Sequence, residues 1–325
     1  MKTFKTKITN QLNTPVLLLI FNRPNTTIKV FEKIVQAKPS KLYIAGDGPR
    51  EGLAGEIEKV KKAREIINKI NWPCEIKTLF SEKNLGCKKG VSTAITWFFE
   101  QEERGIILED DCVPHLDFFY YCENLLDYYS EDHRISVITG DNFQNGKLRG
   151  DASYYFSKYN HCWGWASWRR AWDYYQGDIN FWQEWSNSKA WFDHVPDKVE
   201  RKYWQKIFNL VYKKKIDSWA YPWLASIWYK NGLTVTPNVN LVSNIGFGLD
   251  ATHTLNENDK NSNMKTTSLK ILKHPKVVKK DLEADIWTFN HHYGGKNLRF
   301  PYKWIVFPIR ILNFIYKKIN FYFKN

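Results

Sequence analysis

Three consecutive carboxylates, Glu109, Asp110 and Asp111, follow directly on the apolar run Ile106-Ile107-Leu108. Like charges side by side repel, so such a cluster needs a cation or several hydrogen-bond donors to compensate it. An all-oxygen set suits Mg2+ or Mn2+, which take few protein ligands when a diphosphate supplies the others. The plain alternative is a solvated acidic turn at the tip of a strand.

The elements that must position this cluster are readable from hydrophobic patterning. Val16-Leu17-Leu18-Leu19-Ile20-Phe21 is a continuous apolar run and reads as a buried parallel strand. Asn22-Arg23-Pro24-Asn25 is then a turn, and Thr26 or Thr27 is placed to cap a helix carrying Ile28, Phe31, Ile34 and Val35. A second strand, Leu42–Ala45, ends in Gly46-Asp47-Gly48-Pro49, and a long helix is expected over 55–70. Cys74–Phe80 alternates as a third strand, 91–100 reads as a helix, and Gly105–Leu108 is the strand before the carboxylates. Phe118–Tyr129 reads as a helix and Ile135–Thr139 as a strand leading into Gly140-Asp141-Asn142. Alternation of this kind predicts an α/β fold with a doubly wound, Rossmann-like sheet, on which ligands bind beyond the carboxyl ends of the strands. Arg23, Asp47, the Asn84-Leu85-Gly86 turn and the acidic triplet all fall at or just after such ends.

Composition narrows the class. The 325 residues fit one large α/β domain with additions, and 43% apolar residues suffice for a core. Of 15 Trp, eleven lie between Trp163 and Trp228. Such a density is either core or a carbohydrate-stacking surface. Five Cys without a C-x-x-C pair point to free thiols in a reducing compartment and away from zinc. The polar, basic stretch Met1–Thr14 has no apolar segment of the secretory kind, so a cytoplasmic location is expected. Net charge is +14, and residues 270–325 carry 12 Lys/Arg against 3 Asp/Glu, a local excess of +9.

Carboxylates, an arginine and a divalent ion at strand ends are what transfer from a nucleotide sugar requires. The leaving diphosphate must be neutralised, and an acceptor hydroxyl must be positioned or deprotonated by a carboxylate. In that scheme Asp111 holds the metal, Asp110 and Glu109 contact ribose or sugar hydroxyls, Arg23 faces the phosphates and Asp47 bonds the base or ribose. The bland rivals are an Arg23 that satisfies a surface carboxylate and an Asp47 that caps its Gly-Asp-Gly turn.

The ordered set Phe21-Asn22-Arg23-Pro24, Asp47, Glu109-Asp110-Asp111 and Leu116-Asp117-Phe118-Phe119-Tyr120 resembles the GT-A glycosyltransferases of the N-acetylglucosaminyltransferase I type. More closely it resembles bacterial nucleotide-diphospho-sugar transferases labelled haemolysin-like. The resemblance continues through Ile138–Asn142, Cys162-Trp163-Gly164-Trp165-Ala166, Asn240–Gly248 and Ala251-Thr252-His253, covering about 15–255. It implies a GT-A fold, with 1–140 as the nucleotide-sugar-binding half and 141–257 as the Trp-rich acceptor half; composition alone makes 258–325 a linker and a basic amphipathic tail. It implies Asp111 as ligand of Mn2+ or Mg2+, with Arg23, Asp47, Glu109, Asp110 and Trp219 at a donor for which a UDP-sugar is favoured. Residues 245–254 would form a closing loop, with His253 reaching phosphate or metal. Trp163 and Trp165 would face the acceptor. The resemblance weakens at the catalytic base: relatives often carry Asp directly after the Trp matching Trp219, where this chain has Ala220. Asp217, and second Glu184, are the substitutes, and either could instead cap a helix or pair with a lysine.

From Phe300 onward the sequence is aromatic, aliphatic and basic, with unbroken apolar stretches too short to span a bilayer. It reads as a segment lying on an anionic membrane surface, or as a docked helix. Its aliphatic content argues against nucleic acid. The expected protein is an inverting glycosyltransferase at the cytoplasmic membrane face, using an oligosaccharide or lipid-linked acceptor in polysaccharide biosynthesis. One alternative is a catalytically inactive glycan-binding or membrane-active protein. A nucleotidyltransferase would require a Gly-rich basic loop near the N-terminus, which the sequence lacks.

Overall fold

The computed structural model describes residues 4–5, 11–248, 259–269, 271–302 and 304. His253, most of the expected closing loop and nearly all of the 300–325 tail lie outside the described residues.

The chain opens with β1 (Phe4–Lys5), which pairs far along the sequence, and then β2 (Val16–Ile20), whose five residues are all buried. Helix α1 (Pro24–Ala37) follows after three residues. Pro24 sits at the first helical position, where its missing N–H costs nothing. Neither threonine caps the helix. Arg23 occupies the N-cap position, and Thr26 and Thr27 hydroxyls donate back to the Arg23 carbonyl at 3.1 and 2.7 Å. Strand β3 (Lys41–Gly46) leads to α2 (Glu56–Arg64), which tightens into a 3-10 turn over Glu65–Lys69 instead of continuing as the single helix expected. After β4 (Glu75–Phe80), α3 (Gly86–Gln101) begins five residues earlier than its apolar pattern indicates. Strand β5 (Arg104–Glu109) carries the triplet at its end, and β6 (Cys112–Pro114) and α4 (Leu116–Tyr128) follow.

The second half contributes β7 (Ile135–Thr139), β8 (Tyr154–Ser157) and β9 (Trp165–Trp168). A helical layer comes next: α5 (Arg169–Trp172), α6 (Trp182–Trp185), α7 (Lys189–His194), α8 (Lys198–Tyr212) and α9 (Ala220–Tyr229). The chain then forms β10 (Leu233–Pro237), β11 (Val242–Asn244), β12 (Ile271–Leu272) and α10 (Leu282–His291).

Eight strands make one sheet in the order β4-β3-β2-β5-β9-β7-β10-β8. The first four are parallel, β9 runs against both its neighbours, and β10 is parallel to β7. This is the Rossmann-like mixed α/β sheet expected from the sequence. Period-2 alternation sends Val16, Leu18 and Ile20 to the face covered by α1 and α4, and Leu17 and Leu19 to the face covered by α3. Both faces being covered explains why β2 has no polar residue.

The tryptophans are mainly core. Trp165, Trp182, Trp191, Trp204, Trp223 and Trp228 are fully buried. Several form a third core among α6, α7, α8 and α9, where rings meet edge to face, as Trp182 and Trp191 do at 4.9 Å. The polar segment 259–269 is tied down: Asn263 N donates to Asn244 O, Thr267 N to Asn240 O, and Leu269 N to Asp117 Oδ2.

Candidate functional site

Parallel pairing of β2 with β5 sets Leu19 opposite Glu109. Both strands end on the same side of the sheet, so the turn after β2 crosses directly in front of Asp110 and Asp111. There the Phe21 N–H donates to Asp110 Oδ2 at 3.1 Å. Arg23 Nη2 meets Asp110 Oδ1 at 2.7 Å, and its Nη1 meets Asp111 Oδ2 at 2.8 Å. The guanidinium therefore forks across both aspartates. Arg23 pairs with carboxylates, but with the buried Asp110 and Asp111 and not with the surface carboxylate of its rival reading.

The electrostatics follow from burial and charge number. Burial pushes the Glu109 carboxyl up, and the charges of Asp111 and Asp110 push it further; Arg23 and the Trp219 side chain oppose this. Asp110 is likewise raised by burial, with Arg23 working against the shift. Burial would lower Arg23, but Asp110, Asp111 and Glu109 outweigh it and hold the guanidinium charged. One cation facing three carboxylates leaves the set short of positive charge.

The root of the expected closing loop is fixed to the triplet. Strand β11 pairs antiparallel with β6, Asn244 opposite Cys112, and Ile245 N donates to Asp111 O at 2.9 Å. This brings the Gly246 backbone against the Arg23–Asp111 pair: a Cβ there would lie 1.9 Å from Asp111 Oδ2 and 2.7 Å from Arg23 Nη1. Only glycine fits. The sequence marks Gly246 as one of two loop glycines, but nothing in it shows that the close approach is to Asp111.

Asp47 also follows a strand end, but its carboxylate is taken. Oδ1 accepts from Gly48 N and Leu85 N at 2.8 Å each, and Oδ2 from Asn84 Nδ2 and Gly86 N at 3.0 and 3.1 Å. It satisfies the first N–H groups of α3, which explains the early start of that helix. The capping alternative describes this structure, and no oxygen of Asp47 is left for a base or ribose.

The two candidate bases separate. Asp217 is exposed, lies at the same end of α3, accepts from Lys88 N at 3.1 Å, and has Oδ2 beside Gly86. Its charge reaches Cys87 together with those of Glu109 and Asp47, so it belongs to this neighbourhood. Glu184 is exposed on α6, which packs on α8 in the third core. Trp219 is buried, partners Glu109 and stacks on Trp165 at 5.7 Å. Trp165 is 1% exposed and walled by Trp172, Trp219 and Trp223, so it has no face to offer an acceptor; here the acceptor expectation is corrected. Trp163 is half-buried, its ring edge-on to Phe247 just past Gly246 and to Phe143.

Sequence reasoning also missed Asp141. It is wholly buried, one oxygen accepts from the Thr139 hydroxyl, and the other has no partner among the described residues. Burial pushes its carboxyl up to about 7. A cavity of about 410 Å3, lined by Pro49, Ile57, Val60, Arg64 and Phe80 among others, adjoins the Asp47–Pro49 turn, and no triplet residue lines it.

No family model matches the chain, and no curated protein matches it. Solved structures do. HddC from Yersinia pseudotuberculosis is 11% identical, with 48% of this chain and 77% of that chain covered and a TM-score of 0.30. An inositol-1-phosphate CTP transferase from T. maritima is 10% identical, with 78% and 94% covered and a TM-score of 0.36. A UTP-bound UGPase from Acinetobacter baumannii is 6% identical, with 69% and 85% covered and a TM-score of 0.33. At these values the likenesses carry no functional argument, and the site must be read from its own geometry.

Proposed function

We propose that this chain transfers a sugar from a nucleotide-diphosphate donor, preferably a UDP-sugar, to a hydroxyl of a glycan or lipid-linked acceptor with inversion. The observation that carries the reading is the Arg23 fork across Asp110 and Asp111 at the ends of adjacent parallel strands, under the Gly246 backbone.

An anionic diphosphate approaching a carboxylate cluster needs added positive charge. The fork uses two of the five guanidinium N–H donors, and Arg23 stays one-fifth exposed, so it can still donate to phosphate oxygens. Asp111 Oδ1 accepts only the Cys112 thiol, at 3.3 Å, among the described residues. It is the oxygen that would hold Mn2+ or Mg2+. No three His, Cys, Asp or Glu side chains among the described residues form a metal cage, so an ion here would need further oxygens from the diphosphate itself. When bound, such an ion would neutralise the departing nucleotide diphosphate. Asp217 takes the proton of the acceptor hydroxyl, whose oxygen bonds the anomeric carbon as the bond to phosphate breaks. Trp163 provides the acceptor platform. A place at the cytoplasmic membrane face in polysaccharide assembly fits the basic C-terminal sequence.

The test is nucleotide release from UDP-, GDP- and CMP-sugars with Mn2+ or with chelator, for wild type and Asp111→Ala. Metal-dependent release from one donor, lost in the variant, is expected. No metal-dependent binding of any donor would overturn the reading. A catalytically inactive binding protein is the second reading; the fully occupied Asp47 carboxylate and Ala220 after Trp219 favour it. Donor binding without turnover on any acceptor would select it.

A further inference from the structure

The outer side of α10 is apolar without belonging to the core. Ala284, Asp285, Thr288 and Phe289 face inward, and the helix is fixed there: Gln144 Nε2 donates to Ala284 O at 3.2 Å and to Thr288 Oγ1 at 2.9 Å, and Ser157 to Asp285 at 2.6 Å. Leu282 and Ile286, one turn apart, are 59% and 55% exposed. Arg149 reaches Glu283 at 3.5 Å, which brings the 145–149 turn and its exposed Leu148 beside the helix. Glu283 is the acidic residue on this face.

Lysines gather at the other edge of the outer side, around Trp287 and His291 toward the helix C-terminus. Lys147 Nζ lies 3.8 Å from the Trp287 ring centroid, Lys296 Nζ lies 4.6 Å from that of Tyr302, and Lys260 Nζ donates to the His291 carbonyl. The His291 imidazole is pushed down by its own partial burial and then by the charges of Lys260, Lys296 and Lys147, which places all three lysines around it. The chain leaves this patch through the exposed Phe300, Tyr302 and Trp304.

We propose that α10 and the 145–149 turn form a docking surface for an anionic lipid bilayer, belonging to the folded body and separate from residues 305–325. Solvent-facing Leu148, Leu282 and Ile286 enter the acyl boundary, and the three lysines meet anionic headgroups. No helix among the described residues is long and apolar enough to cross a membrane. Phosphate contacts to nucleic acid would leave these aliphatic side chains without a role. The surface also connects to the candidate site. His292, just past α10, stacks on Phe143 at 3.8 Å, Phe143 meets Trp163, and Trp163 meets Phe247. Docking through α10 therefore holds the proposed acceptor platform at a fixed relation to the bilayer. The inference is independent of donor identity and turnover.

The experiment uses the full chain and vesicles of phosphatidylglycerol with phosphatidylcholine, against phosphatidylcholine alone, in co-sedimentation. One patch variant combines Leu282→Ser and Ile286→Ser, and a charge-only variant combines Lys147→Gln, Lys260→Gln and Lys296→Gln. A tail variant combines Arg310→Glu, Lys317→Glu, Lys318→Glu and Lys324→Glu. Thermal melts confirm folding. Wild type should bind only anionic vesicles, and each patch variant should bind about tenfold more weakly. The tail variant should keep binding that disappears when the patch changes are added. Unchanged binding by the patch variants overturns the proposal. So does wild type that binds single-stranded DNA or self-associates without binding vesicles.

Discussion

Arg23 Nη1 lies 2.8 Å from Asp111 Oδ2, across the seam between two parallel strands whose sequences are 88 residues apart. The pair defines the site's electrostatics, because Arg23 is the cation that allows Asp110 and Asp111 to share one strand tip. Removing it leaves buried carboxylates without their paired cation. Arg23→Met should destabilise the fold by about 3 kcal/mol. Adding Asp110→Asn and Asp111→Asn to that variant should recover most of the loss, as read from urea denaturation. A single variant as stable as wild type would show that the fork is not what compensates the cluster.

Gly246 tests the roof of the site. In Gly246→Ala the new methyl would overlap Asp111 Oδ2, so either the backbone of 245–248 lifts or the fork breaks. Donor affinity should fall at least about tenfold, with a stability loss of roughly 1–3 kcal/mol. Calorimetric donor titration and a thermal melt measure both. Retained affinity would mean that this backbone does not cover the donor.

Asp217 and Glu184 make opposite predictions. Asp217→Asn should lower kcat by about 10²–10⁴ with little change in donor binding. Glu184→Gln should leave kcat within about twofold, because Glu184 is an exposed side chain on a helix packed into the third core. The reverse result would move the proton acceptor to the third core.

Asp141 gives a pH signature. Its carboxyl is raised by burial to about 7 from an ordinary 3.8. Below 3.8 it is protonated in both the folded and unfolded chain. Between 3.8 and about 7 the unfolded chain loses the proton while the folded chain keeps it, so stability falls as pH rises across that window. Relative to Asp141→Asn, which cannot ionise, wild type should lose roughly 1–4 kcal/mol between pH 4 and 7. Chemical denaturation of both proteins at several pH values reads the difference, and parallel curves would show that Asp141 does not carry this penalty.

The strands of the first half were legible because fully buried parallel strands announce themselves as unbroken aliphatic runs, as Val16–Ile20 and Ile106–Leu108 do. Helix starts were not. The start of α1 is set by Pro24, and that of α3 by the Asp47 carboxylate from a different strand, which no local pattern near Gly86 records. The tryptophans left two readings open because composition cannot distinguish an indole inside a core from one at its edge. Trp163 and Trp165 are two residues apart, and only packing separates them: Trp165 lies in β9 walled by Trp172, Trp219 and Trp223, while Trp163, ahead of the strand, meets Phe143 and Phe247.

By itself the sequence determined the strand–helix alternation, the acidic triplet at a strand tip and the uneven basic charge, since each is a property of neighbours along the chain. The tertiary structure decided what those residues do to one another. Strand order brought Arg23 to Asp110 and Asp111, the capping of α3 occupied Asp47, the β11–β6 ladder set Gly246 against Asp111, and helix packing divided Asp217 from Glu184. These are contacts between segments tens to more than a hundred residues apart. Short-range patterning fixes which elements form, and only their packing fixes which charges meet.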